Sequence, residues 1–265
     1  MLSDILLTNI FQTAIVAAQS AGQFIMENVD KAIEINYKGR ANVVTEVDRG
    51  AEEIIISMIK DRFPDHQILA EETPAINSSS PFKWIIDPLD GTTNFIHGLP
   101  AFAVSIAVEY NSDVIIGVVY DPVRKELFSA IKNRGAFLNR KQIKVSNIKT
   151  LSESLLATGF PYELQGNFNL NMDIFREMYQ KSQGVRRVGS AALDLCYTAC
   201  GRFDGFWEFD LNPWDVAAGA LIVSEAGGKL SDFSGKDFSI YGKQVLATNG
   251  IIEEEMLFNL AQVHK

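Results

Sequence analysis

Apolar residues recur at every third or fourth position over residues 5–26, with few breakers. That spacing predicts an amphipathic helix of about five or six turns. A second helix is predicted from Thr45 or Glu46 through Ile54, Ile55, Met58 and Ile59 to Phe63, where Pro64 and Asp65 end it. Between them lies the polar loop Tyr37-Lys38-Gly39-Arg40-Ala41-Asn42, and a further short polar loop follows at residues 77–81. The period then shortens to two. Residues 103–110, 114–120 and 126–130 read as strands, with Asn111-Ser112-Asp113 as the turn between the first two. Residues 135–138 and 142–145 read as another hairpin around Asn139-Arg140-Lys141. Later the two periods alternate: strand 154–159, helix 170–181, strand 185–188, helix 191–200, strand 205–208, helix 215–226, short strands 229–230 and 245–247, and a closing helix 253–263. An α+β half is thus followed by an α/β half. The boundary is expected at residues 146–152, which divides the chain into 1–148 and 149–265.

Bulk properties narrow the classes. A chain of 265 residues can bury a substantial core. A net charge of −9 argues against a nucleic-acid surface, which needs clustered Lys and Arg. The two cysteines, Cys196 and Cys200, lie one helical turn apart in an apolar stretch and read as core residues, which fits a reducing compartment. The N-terminus lacks a basic region, and no apolar run reaches the ~18–20 residues that span a bilayer. The expectation is a cytoplasmic protein that is not attached to a membrane.

The chemistry concentrates in Trp84-Ile85-Ile86-Asp87-Pro88-Leu89-Asp90-Gly91-Thr92-Thr93-Asn94-Phe95. Residues 84–86 read as the end of a buried strand, and Pro88 resists its continuation. Asp87 and Asp90 are therefore expected at a strand end, where oxygen ligands suit a hard cation such as Mg²⁺. The amides of Gly91, Thr92 and Thr93 are placed to open a helix and receive phosphate. Metal ligands and a phosphate cradle in one turn point to phosphoryl chemistry.

This string resembles the signature of the inositol monophosphatase family of Mg²⁺-dependent, Li⁺-sensitive phosphatases. Three more segments match in order. They are Ile68-Leu69-Ala70-Glu71-Glu72-Thr73, Val43-Val44-Thr45-Glu46-Val47-Asp48, and Asn212-Pro213-Trp214-Asp215-Val216-Ala217-Ala218-Gly219-Ala220, which runs on through Ser224-Glu225-Ala226-Gly227-Gly228. Residues 95–107, 120–122 and 189–195 are closest in wording to bacterial members. The resemblance implies a five-layer αβαβα sandwich of the inositol monophosphatase and fructose-1,6-bisphosphatase type. It implies two or three Mg²⁺ ions, with Glu71, Asp87 and the carbonyl of Leu89 at the first, and Asp87, Asp90 and Asp215 at the second. A metal-activated water would be oriented by Thr92, with Glu71 as base and Asp48 assisting or organising a third metal; loop 37–42 corresponds to a mobile metal-binding loop. Asp90, Gly91, Thr92, Thr93, Gly189, Ser190, Ala191, Glu208 and Asp215 would contact substrate, Glu208 through inositol hydroxyls. A homodimer is implied.

The expected reaction is hydrolysis of inositol monophosphate. The same chemistry on fructose 1,6-bisphosphate, NADP, a nucleoside bisphosphate or histidinol phosphate stays open, as does an added role of binding transcription machinery. Arg186 and Arg187 serve substrate attraction, a subunit contact, or neither. Cys196 to Arg202 fits the spacing of a cysteine phosphatase, but the intervening residues read as helix. His66, His97 and His264 lack zinc-ligand spacing.

Overall fold

The computed structural model describes residues 3–29, 31, 35–37, 43–161 and 166–263. Loop residues 38–42 and His264 therefore lie outside the described residues. Helices α1 (Asp4–Met26) and α2 (Glu46–Arg62) follow the predicted ranges. A short antiparallel pair, β1 (Ile35–Tyr37) and β2 (Val43–Thr45), leads into α2. A seven-stranded sheet comes next: β3 (Gln67–Ala70), β4 (Phe82–Asp90), β5 (Ala103–Tyr110), β6 (Asp113–Asp121), β7 (Glu126–Ile131), β8 (Ala136–Leu138) and β9 (Lys141–Gln142), side by side in chain order. Only β3 and β4 run parallel; the other neighbours are antiparallel.

Two hairpins are tighter than expected. Asn111 and Ser112 both have positive φ (52° and 68°), as do Asn139 and Arg140 (46° and 67°). Two such residues suffice for a primed turn matched to strand twist, so Asp113 and Lys141 already belong to strands. Strand β9 stops at Gln142 rather than 145, because Val145 N–H turns to the Ala226 carbonyl (3.2 Å).

The second half supplies β10 (Leu155–Thr158), α4 (Phe168–Lys181), β11 (Gly184–Arg186), α5 (Ala191–Ala199), β12 (Gly205–Phe209), α6 (Pro213–Glu225), β13 (Lys229–Ser231), β14 (Gln244–Thr248) and α7 (Glu253–Val263). Its sheet has the order β11-β10-β12-β14-β13, with the first three strands parallel.

Five layers result. Helices α1 and α2 cover one face of the large sheet, burying Ile10, Ala14, Ile55 and Ile59 on Trp84, Ile86 and Val108. Helices α5 and α6 lie between the sheets and share one core with Ile85, Val119, Phe206 and Val245. Helices α4 and α7 close the far side on Leu156, Trp207 and Leu246. The αβαβα sandwich expected from the sequence is the observed fold. Its middle layer depends on small residues. A Cβ on Gly117 would lie 2.6 Å from the Ala218 carbonyl oxygen, and one on Gly219 would lie 2.6 Å from Leu195 Cβ. Helix α6 is accordingly apolar all round from Val216 to Val223, the span that is buried.

Helix α1 is long and apolar enough to cross a membrane by length and composition. Thr8, Asn9, Gln12, Thr13, Gln19, Ser20 and Gln23 interrupt its apolar residues. It packs Ile10, Ala14, Ala17, Ala18, Ala21 and Ile25 into the core, as a core helix does.

Candidate active site

Strand β4 does not end at Ile86 as expected; it continues through Pro88 to Asp90. The register against β5 shifts between Asp87 and Asp90. A bulge of this kind leaves a residue outside the ladder, which accommodates a proline without an N–H. The sequence reading treated Pro88 as a terminator and missed the bulge. Asp87 is buried and accepts a hydrogen bond from Leu89 N–H (3.0 Å) through Oδ1. Gly91, at φ 96°, caps helix α3 (Thr92–Ile96). A side chain there would bring Cβ within 2.8 Å of the Ala101 carbonyl oxygen. The opening amides of α3 have no intrahelical acceptor by construction.

Thr92 and Asp48 come together although 44 positions separate them. Asp48 is the N3 residue of the capping box of α2, so Thr45 N–H donates to its Oδ2 (2.8 Å). This cap alone accounts for an acid at position 48. Its other oxygen lies 2.9 Å from Thr92 Oγ1, which is also 3.1 Å from the Leu89 carbonyl oxygen. One hydroxyl proton serves only one of these acceptors at a time. Burial raises the Asp48 pKa, and bonds from Thr45 and Thr92 oppose the shift.

The second half meets this cluster directly. Ser190 Oγ and Ala192 N–H both donate to Asp90 Oδ2, at 2.7 and 2.8 Å. Asp215 lies in the first turn of α6 and accepts from Asn212 N–H at 2.6 Å. Ser105 Oγ donates to the Trp214 carbonyl (3.2 Å), seating the start of α6 on β5. Glu71 follows β3, its N–H donating to the Ile86 carbonyl (3.2 Å). Burial, then the charges of Glu71, Asp90 and Asp215, drive the Asp87 pKa well above the usual carboxylate range. Burial raises Asp90 to about 6 against the opposing bonds of Ser190 and Ala192. It raises Asp215 to about 7, opposed by Asn212.

Four acids thus share one electrostatic field, which a divalent cation relieves. The donors are all oxygens, as a hard cation requires. Among the described residues, no three acid, histidine or cysteine side chains stand in a ready cage; protein hydrogen bonds occupy one oxygen each of Asp87, Asp90 and Asp215.

Glu208 ends its side chain in the same field, lifted to about 8 by burial and then by Asp215 and Asp90, against Arg187. Gly189 (φ 88°) and buried Ser190 lead into α5, and the Arg187 guanidinium lies over Gly189, where a Cβ would come within 2.6 Å of Nη1.

Sequence reasoning missed two residues here. Asn94 lies inside the quoted string but was given no role. Its Nδ2 donates to the Ala101 carbonyl (2.7 Å) and the Val188 carbonyl (2.9 Å), fastening α3 to the segment before Ser190. Asp194 was read only as part of a helix. It is buried, and its Oδ1 has no partner among the described residues. Burial, Glu208 and Asp90 hold its pKa well above the carboxylate range. An acid inside the apolar stretch Ala191–Ala199 was the available signal.

The decoys have structural explanations. Cys196 is buried in α5 with its thiol pushed well up by burial, and Arg202 is engaged with Glu126 through two nitrogens (2.6 Å each). His66 stacks between Phe63 and Phe82 and accepts from Trp84 Nε1 (3.0 Å). His97 is exposed just past α3.

Residues 6–265 match the model of the inositol monophosphatase family. The chain is 48% identical over 247 residues to an inositol-1-monophosphatase of Synechocystis sp., covering 92% of this chain and 86% of that one. It is 46% identical over 243 residues to the Nus factor SuhB of Pseudomonas aeruginosa, covering 89% and 90%. The crystal structure of the extragenic suppressor protein suhB from Bartonella henselae superposes with a TM-score of 0.92 at 38% identity, covering 95% of this chain and 98% of that one.

Proposed function

Because this chain belongs to the inositol monophosphatase family, and with it is a metal-dependent phosphoric monoester hydrolase, we propose that it hydrolyses inositol monophosphate to inositol and phosphate with Mg²⁺. The observation that carries this reading is the meeting of Asp87, Glu71, Asp90 and Asp215 in one field beside the Thr92–Asp48 contact.

In this reading Glu71, Asp87 and the Leu89 carbonyl hold one ion. Asp87, Asp90 and Asp215 hold a second, and Asp48 borders a third position. When bound, the ions lower the pKa of water and neutralise charge on the phosphate and the leaving oxygen. The protein's own groups do the rest. Asp48 fixes the Thr92 hydroxyl, which orients the attacking water. Glu71 takes its proton, with Asp48 assisting. The amides of Gly91, Thr92 and Thr93 receive the phosphate oxygens. Gly189, Ser190 and Ala191 line the alcohol pocket, and Glu208 bonds inositol hydroxyls. Asp90 spans both tasks, a ligand gripped by the wall of the pocket. Residues 1–148 then carry most of the metal ligands, and residues 149–265 carry Asp215 and the pocket. Inhibition by lithium, a cytoplasmic location and a homodimeric state belong to the same reading and come from the family resemblance.

Kinetics on a panel of phosphate esters, with Mg²⁺ and with excess chelator, test it. Inositol monophosphate is expected to show the highest kcat/KM, and chelator to abolish turnover. Full activity in chelator, or a clear preference for fructose 1,6-bisphosphate, NADP, a nucleoside bisphosphate or histidinol phosphate, would overturn it. A second, additional role on transcription machinery is favoured by relatives named Nus factor. Capture of transcription proteins by a metal-ligand variant such as Asp87→Asn would separate that role from catalysis.

A further inference from the structure

The Glu208 carboxyl occupies the place where a side chain on residue 159 would begin. A Cβ on Gly159 would lie 2.0 Å from Oε1 and 2.1 Å from the carboxyl carbon of Glu208, far inside contact distance. Gly159 is not among the residues with positive φ, so its backbone conformation is open to any residue. A side chain there would have to displace the Glu208 carboxyl.

The backbones on both sides of this contact are clamped. Parallel strands β10 and β12 pair Thr158 with Trp207, and Thr158 Oγ1 also donates to the Trp207 carbonyl (2.8 Å). Asn171 Nδ2 donates to the Gly159 carbonyl (2.6 Å), while Trp207 Nε1 donates to Asn171 Oδ1 (3.0 Å). Thr158, Asn171 and Trp207 are all fully buried. Neither Gly159 nor the backbone of Glu208 has space to retreat in such a close-packed frame. Only the end of the Glu208 side chain is free to give way.

We propose that Gly159, held by the Asn171–Trp207 frame, is a specificity-determining positioning residue that sets how far the Glu208 carboxyl reaches into the pocket. The frame thereby favours phosphate esters whose alcohol part carries a hydroxyl at that reach, namely polyol phosphates. This rests on the reading of Glu208 as the hydroxyl partner. The frame's hydrogen bonds involve none of Asp87, Asp90 and Asp215, so its first effect is on recognition of the alcohol.

Steady-state kinetics on inositol monophosphate and on phenyl phosphate, which has no hydroxyl, test this in four variants of the Mg²⁺-loaded enzyme. Gly159→Ala lowers kcat/KM for inositol monophosphate about tenfold, chiefly through KM, and leaves phenyl phosphate within about twofold. Glu208→Asp shortens the acid by one methylene, so Gly159→Ala combined with Glu208→Asp recovers part of the lost preference relative to Gly159→Ala alone. Asn171→Ala, which frees Gly159 without adding bulk, shifts the preference in the same direction and decides the matter if Gly159→Ala does not fold. Glu208→Gln is the reference. If Glu208→Gln changes the preference while neither Gly159→Ala nor Asn171→Ala does, the positioning role is wrong and the hydroxyl reading stands. If Glu208→Gln leaves the preference unchanged, the hydroxyl reading falls and takes this inference with it. Equal slowing of both substrates in Asn171→Ala also overturns it.

Discussion

The two walls of the site are held in different ways. Beside the proposed ions, Asp48, Asp87 and Asp215 are each steadied by a residue close in the chain, Thr45, Leu89 and Asn212, although Thr92 also reaches Asp48 across 44 positions. On the alcohol-facing side the ties are long. Asn94 reaches Val188 across 94 positions, and the Gly159–Asn171–Trp207 frame joins three separate elements. Asp90 stands between the two and is gripped across 100 positions by Ser190. Short ties need only a few residues in a row and survive as motifs. Long ties exist only after folding. On the proposed reading, the reaction would then rest mostly on local strings and the choice of alcohol mostly on tertiary packing.

The largest expected effect lies on the local side. Asp87→Asn removes a shared ligand and should lower kcat/KM by about 10³-fold or more for every ester tested, since metal assistance is worth several kcal/mol. A single ester spared by this variant would break the division between the walls. Next in size, Thr92→Ala should lower kcat about 10²-fold with KM little changed, because water orientation matters in the transition state. A rise in KM at constant kcat would make Thr92 a plain binding group. Smaller again, Glu208→Gln should cost about tenfold on inositol monophosphate and much less on phenyl phosphate. Slowing both alike would place the alcohol pocket elsewhere.

A further effect concerns both walls together and is read as stability rather than rate. Burial pushes Asp90, Asp215 and Glu208 up to about 6, 7 and 8 in the folded protein, each above its ordinary value. Between their ordinary values and these, the folded protein holds more protons than the unfolded chain. Stability is then fully present at acid pH and is lost as pH rises through the raised values. In chelator, Tm followed by scanning fluorimetry should fall from about pH 5 to about pH 8. Saturating Mg²⁺ should flatten the slope, because cations take over from protons. A flat or rising Tm in chelator would show that these acids do not strain one another.

The same difference governs what the sequence made legible. The acids at 71, 87, 90 and 215 stood out because each sits in a short string at an element's end, and the layers followed from the change of period along the chain. Pro88 misled, because a proline inside a strand is tolerated only at a bulge, and a bulge depends on the neighbouring strand β5. Gly159 carried no signal, since its need for room arises from a strand 49 positions away. Asn94 was visible as a letter but not as a tie, and Asp194 was an odd acid in an apolar helix whose neighbours only the fold supplies. Loop 37–42 was singled out for a metal role, and residues 38–42 lie outside the described residues.

Helix α6 sets the order in which the site comes apart. It carries Asp215 at its start and is enclosed by both sheets from Val216 to Val223. Backbone amides there lose their protection only when the whole molecule opens. Helix α3 has five residues and a half-buried first turn, so its amides exchange through a smaller, more frequent opening. In native-state hydrogen exchange the amides opening α3 should exchange long before those of residues 217–223 do. The two ends of the site are thus tied to parts of the molecule that open on different scales: α3 by local fraying, the body of α6 only with the whole fold.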